Sequence, residues 1–227
     1  MLLQVEHLKV TFRDRSRRVD AVEDFSLCLE EGEVAGIVGE SGSGKSMTAH
    51  ALMGLIPRAQ ADISGRALFQ GADLLAMSRA QLRQIQGREL SIIFQEPMTS
   101  LDPTMRVGRQ VEDALRVHTR MPAGERRARA LEAMALAGLS DPEGLYRRYP
   151  HELSGGTLQR VMIALTILQR PELIIADEIT TAVDAASEYH ILNELERLRQ
   201  AGVSMIVVTH DFGVAARLCD RVAVMKD

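Results

Sequence analysis

Residues 39–46 read GESGSGKS and directly follow the apolar run 34–38. The string fits G-x-x-x-x-G-K-[ST], and few folds can use it. Its glycines let successive backbone N–H groups turn inward around a phosphate chain, and the helix that follows points its positive end at the anion. In this reading Gly39, Glu40, Ser41, Gly42, Ser43 and Gly44 line the cradle. Lys45 reaches the terminal phosphates, and the Ser46 hydroxyl ligates Mg2+. An apolar strand before it and a helical stretch at 47–52 after it separate such a cradle from a chance glycine turn. Kinases, GTPases and ATPases share the pattern, but the N-K-x-D string of guanine-specific proteins does not occur.

Short apolar runs recur at 91–94, 173–176, 205–208 and 222–225. Continuous β-branched runs of this length predict strands buried on both faces, hence a mainly parallel sheet with helices outside. Leu8, Val10 and Phe12 alternate with polar neighbours as in a half-buried strand. Glycine punctuation over 64–74 predicts a hairpin in a small antiparallel layer. Ile191, Leu192, Leu195 and Leu198 repeat at three and four within a predicted helix over 184–200. Prolines at 97, 103, 122, 142 and 150 divide short helical pieces, such as the alanine-rich 125–137 closed by Gly138. The expectation is one α/β domain of the P-loop type over 1–227, with a helical insertion at about 96–165.

A net charge of −4 gives no basic face, which argues against a nucleic-acid partner. Cys28 and Cys219 form no CxxC and read as two buried thiols of a reducing compartment. The run at 161–168 falls far short of the roughly 18–20 apolar residues that cross a bilayer. Glu6 and His7 interrupt what would be the core of a signal peptide. Any work at a membrane is therefore expected to go through a partner.

Four further elements follow in one order: Gln95 after the run at 91–94, LSGGTLQR at 153–160, LIIADE at 173–178 with TTAVD at 180–184, and His210–Asp211 after 205–208. Over the whole chain this resembles the nucleotide-binding domain of ABC transporters. IIFQEPMTSLDP, RYPHELSGG, VMIALTIL and THDFGVAARLCDRVAVM are similar to the peptide/nickel importer branch.

The resemblance implies ATP hydrolysis with Mg2+. Asp177, a carboxylate at the end of an apolar strand and costly there unless it faces a cation, would hold Mg2+ with Ser46 and Gln95. Glu178 would take a proton from the attacking water. His210 would contact the γ-phosphate, and Gln95 would sense metal and water. Ser154, Gly155 and Gly156 open a helix expected to reach about Gln169, an anion site that closes over ATP held by another subunit. Phe12 admits two readings, an adenine stacker or a core phenylalanine.

The implied partners are membrane permease subunits, a second ABC ATPase subunit, identical or paralogous, and indirectly a substrate-binding protein. The implied place is the cytoplasmic face of the inner membrane. A soluble ABC ATPase acting on DNA or ribosomes is the alternative; the interval from Ser46 to Leu153 shows no sustained heptads for it.

Ile179 stands where relatives carry proline, Val183 alters the next loop, and Thr157 and Leu158 replace Met-Arg. Relatives continue beyond VAVMKD, so the chain is expected to be truncated at Asp227. Residues 95–104 read as a stiff link to the helical insertion. Beside it, Met98 and Leu101 would anchor a short helix of the membrane subunit, or else belong to the core of the insertion.

Overall fold

The structure, a computed structural model, describes residues 1–13, 18–94, 100–181 and 183–226, the side chain of His118 excepted. The elements are β1 (Leu3–Arg13), β2 (Arg18–Leu29), β3 (Val34–Gly39), α1 (Lys45–Leu52), β4 (Ala61–Phe69), β5 (Ala72–Asp73), α2 (Arg79–Ile85) and β6 (Leu90–Ile93). Then come α3 (Val107–His118), α4 (Ala123–Leu136), α5 (Pro142–Tyr146), a 3-10 turn (Pro150–Glu152) and α6 (Gly155–Ile167). The chain closes with β7 (Leu173–Asp177), α7 (Ala185–Gln200), β8 (Ser204–Thr209), α8 (Phe212–Leu218) and β9 (Arg221–Met225).

Strands β7 and β8 are buried at every position, which explains the apolar runs 173–176 and 205–208 within them. Their side chains divide by parity. Leu173, Ile175, Ile206 and Val208 enter one core with α1 and the antiparallel layer. Ile174, Ala176, Met205 and Val207 enter the other, with the helices of residues 107–195. The parallel sheet runs β6-β7-β8-β3-β9, and the antiparallel sheet β2-β1-β4-β5. The expected mainly parallel sheet with a smaller antiparallel layer is the architecture observed.

Three expectations are corrected. The run at 222–225 forms a strand, but among the described residues β9 pairs with β3 alone, at the sheet edge, and Val222 and Val224 are exposed. The antiparallel layer is larger than one hairpin: β2 pairs along the whole of β1. Cys28 and Cys219 are free and half-buried rather than buried.

The helices between β6 and β7 end by local rules. After α4, Gly138 adopts φ 73°, and the amides of Gly138 and Leu139 return to the carbonyls of Ala135 and Met134. This is a Schellman close, and it explains the glycine there. Asp141 caps α5, with Pro142 in its first turn. Leu101 lies in the core of these helices at 4% exposure, so the core reading holds for it and it anchors no surface groove. Gln95, Pro97 and Met98 lie outside the described residues.

Candidate functional site: a phosphate loop facing three strand ends

The carboxyl ends of three neighbouring strands, β7, β8 and β3, carry the expected residues. Gly39 ends β3, and the loop that follows leads into α1 through Gly42 and Gly44, at φ 93° and 92°. These left-handed conformations are why glycine occupies both positions. Ser43 Oγ donates to the Glu40 carbonyl at 2.9 Å and stiffens the turn. Lys45 is buried and donates to the carbonyls of Gly39 at 2.9 Å and Glu40 at 2.7 Å.

Asp177 closes β7 at 3% exposure. Its Oδ1 accepts from Ser46 Oγ at 2.8 Å, and its Oδ2 lies 3.4 Å from His50 Nε2. Glu178 follows at φ 46°, a conformation rare for a side chain with a Cβ. Its amide donates to the Val208 carbonyl at 2.9 Å, so the strained residue is fixed from β8. Its carboxylate stands between the Lys45 ammonium and the His210 imidazole, with Oε1 3.7 Å from Lys45 Nζ and Oε2 3.6 Å from His210 Nδ1. Thr181 Oγ1 donates to Oε2 at 3.4 Å. Ile179 is buried in the helical-side core, anchoring the chain just beyond Glu178.

Ser46 and Asp177 fit Mg2+. Both offer hard oxygens, side by side, and the buried carboxylate has no lysine or arginine partner among the described residues. No group of three or more His, Cys, Asp or Glu capable of holding a metal occurs among the described residues. A site with two protein oxygens suits an ion that keeps waters and takes phosphate oxygens.

The helix α6 begins as expected at Gly155 but ends at Ile167, short of Gln169. Ser154 caps it, accepting from the Thr157 amide at 3.3 Å. Among the described residues no hydrogen bond or ion pair joins Ser154, Gly155 or Gly156 to the phosphate loop. Phe12 is half-buried against the core beside α1, with Val19 and Ala61 as strand partners. Two grooves of about 580 and 610 Å³ lie elsewhere, beside Arg58 and between α4, α6 and α7. Chemistry, not cavity size, locates this site.

The profile of the ABC transporter family matches residues 22–181. The chain belongs to the ABC transporter family. It is 45% identical to the peptidoglycan transport ATP-binding protein YejF of Agrobacterium fabrum, over 99% of this chain and 41% of that one. It is 42% identical to the oligopeptide transport ATP-binding protein OppD of Bacillus subtilis, over 99% of this chain and 63% of that one. The chain thus spans less than two thirds of either relative. Among solved structures it is similar to the ATP-binding cassette MJ0796, a dimer in a post-hydrolysis state bound to ADP and Pi. There the TM-score is 0.87 at 30% identity, covering 99% of this chain and 94% of that one.

Two neighbours of Asp177 and Glu178 were not anticipated from the sequence. His50 stands four residues after Ser46, so the helix repeat places both on the face turned to Asp177. That spacing could have found it. Thr181 had no distinguishing signal beyond lying three residues after Glu178.

Proposed function

We propose that this chain binds Mg2+–ATP and hydrolyses it to ADP and phosphate, energising an ABC importer for peptides or for nickel and other metal complexes. The observation that carries the reading is the joined set Ser46–Asp177 and Lys45–Glu178–His210. Lys45 places a positive charge on the terminal phosphates. The carboxylate of Glu178 accepts the proton as water attacks in line, and the bond to the leaving ADP oxygen breaks. Ser46 and Asp177, with Gln95 as the resemblance implies, would hold Mg2+, which would neutralise charge on the phosphate oxygens. His210 would contact the γ-phosphate, and Glu178, at φ 46°, holds its carboxylate between Lys45 and His210.

Ser154, Gly155 and Gly156 lie apart from this set, which favours their use on ATP held by a second ABC ATPase subunit; the dimeric cassette it resembles supports this. Phe12 is the candidate beneath adenine. Residues of about 96–165 act as a helical insertion within a single nucleotide-binding unit. No helix among the described residues is long and apolar enough to cross a membrane. Membrane permease subunits would therefore carry the cargo, with a substrate-binding protein acting through them at the cytoplasmic face of the membrane. The transport names of the relatives support peptide cargo.

The test is Mg2+-dependent phosphate release by the purified chain, followed by reconstitution with the permease subunits of a peptide importer. Phosphate release abolished by chelation, and peptide uptake that requires ATP, are expected. Metal-independent hydrolysis, or turnover stimulated by DNA or ribosomes and not by permeases, would overturn the reading.

A further inference from the structure

Gly156 sits in the first turn of α6, and its α-carbon faces Ser187, in the first turn of α7. A methyl group built on Gly156 would lie 2.1 Å from Ser187 Oγ and 2.5 Å from its Cβ, so no side chain fits. Gly155, one residue earlier, has open space at the same point. The φ of Gly156 is not positive, so contact and not backbone conformation excludes a larger residue there.

Ser187 is itself held. Its hydroxyl donates to Asp184 Oδ2 at 2.7 Å and its amide to Oδ1 at 3.0 Å. From the other side, Arg160 Nε donates to the Gly156 carbonyl at 3.3 Å while its guanidinium also donates to the Gly138 carbonyl at 3.0 Å. The turn is thus clasped between α4 and α7.

The geometry points to Ser187 as a positioning residue for the amino end of α6. Asp184 closes the segment that begins at Glu178, so the Asp184–Ser187 pair sets where Ser154 and the following amides lie relative to that segment. A displacement of Asp184 carries Ser187 with it, and the close fit passes the movement to Gly156. The catalytic end of one site and the anion-binding end of the other are then linked within one chain. This rests on the reading of the α6 terminus given above.

The experiment compares Gly156→Ala, Ser187→Gly and the double variant. Gly156→Ala should lower ATP turnover about tenfold or more, the size of an overpacking penalty. Adding Ser187→Gly should recover most of that loss. Ser187→Gly alone should speed hydrogen exchange at the Leu158 amide, which donates to the Ser154 carbonyl at 2.9 Å, while Ser187→Ala should not. A double variant no better than Gly156→Ala, or unchanged exchange at Leu158 in Ser187→Gly, overturns the proposal. If Gly156→Ala does not fold, recovery of folded protein in the double variant is the same test. Absence of turnover in the unaltered chain would sink the ATPase reading alone, and the exchange comparison would still decide the contact.

Discussion

Ser46 Oγ donates to Asp177 Oδ1 across 2.8 Å, bringing together residues 131 positions apart. The second oxygen, Oδ2, faces His50 Nε2 at 3.4 Å, so each side of the carboxylate has a polar neighbour among the described residues. If Ser46 and Asp177 hold Mg2+ as proposed, Ser46→Ala would take away one metal oxygen and the group that orients the other. The Mg2+ concentration for half-maximal turnover should rise by at least about tenfold. A metal titration of phosphate release checks this; an unchanged midpoint would place the metal elsewhere.

Glu178→Gln keeps shape and loses the proton acceptor. Turnover should fall by roughly 10²–10⁴ while ATP binding persists. Binding can be followed by equilibrium dialysis alongside phosphate release. Lys45→Ala should behave in the opposite way and weaken binding itself, since it deletes a direct charge on the phosphates.

Two loop glycines separate strain from contact. At Gly42 (φ 93°) an added methyl meets nothing within 4 Å, whereas at Gly44 (φ 92°) it would lie 2.1 Å from the Ala21 carbonyl oxygen. Gly42→Ala should therefore cost only the left-handed strain, about 1–2 kcal/mol. Gly44→Ala should cost a further ~1–3 kcal/mol as backbone from β2 is pushed aside. Urea unfolding of the two variants reads the difference, and equal losses would contradict it.

Burial pushes the Cys219 thiol up to about 11 from its ordinary 9.0, with Asp220 adding to the rise. The folded chain holds the proton more tightly than the unfolded chain. This contribution to stability is therefore fully present below about pH 9 and fades as pH climbs towards 11. Alkylation of Cys219 by iodoacetamide in native protein should be about a hundredfold slower at pH 8 than that of an ordinary thiol, because the thiolate is the reactive form. Mass spectrometry of the alkylated peptide checks it. Rapid labelling at pH 8 would show that the thiol titrates normally.

The legible parts of this molecule were those in which one residue type answers one physical demand. Gly42 and Gly44 mark left-handed turns, and Asp177 at the end of an apolar run marks a buried carboxylate. The strand β2 was not foreseen because Val22, Phe25, Leu27 and Leu29 do not keep a period of two. The shifts of register in its pairing with β1 insert the extra residue that breaks the pattern. The edge position of β9 was also hidden, since a run of valines looks alike with one neighbouring strand or two. Ser187 gave no signal at all: its importance comes from Gly156, 31 residues earlier in the chain.

Parallel pairing also sets the scale on which the site is drawn. Asp177 lies opposite Val208, and Thr209 opposite Val38, so Glu178, His210 and Gly39 leave adjacent strands at nearly one level. Their lateral separation is then the strand-to-strand spacing of about 4.8 Å, a length dictated by peptide hydrogen bonds and indifferent to side-chain identity. Substitutions in the surrounding helices can alter how tightly a nucleotide is gripped, but the ruler between carboxylate, imidazole and phosphate loop is made of backbone.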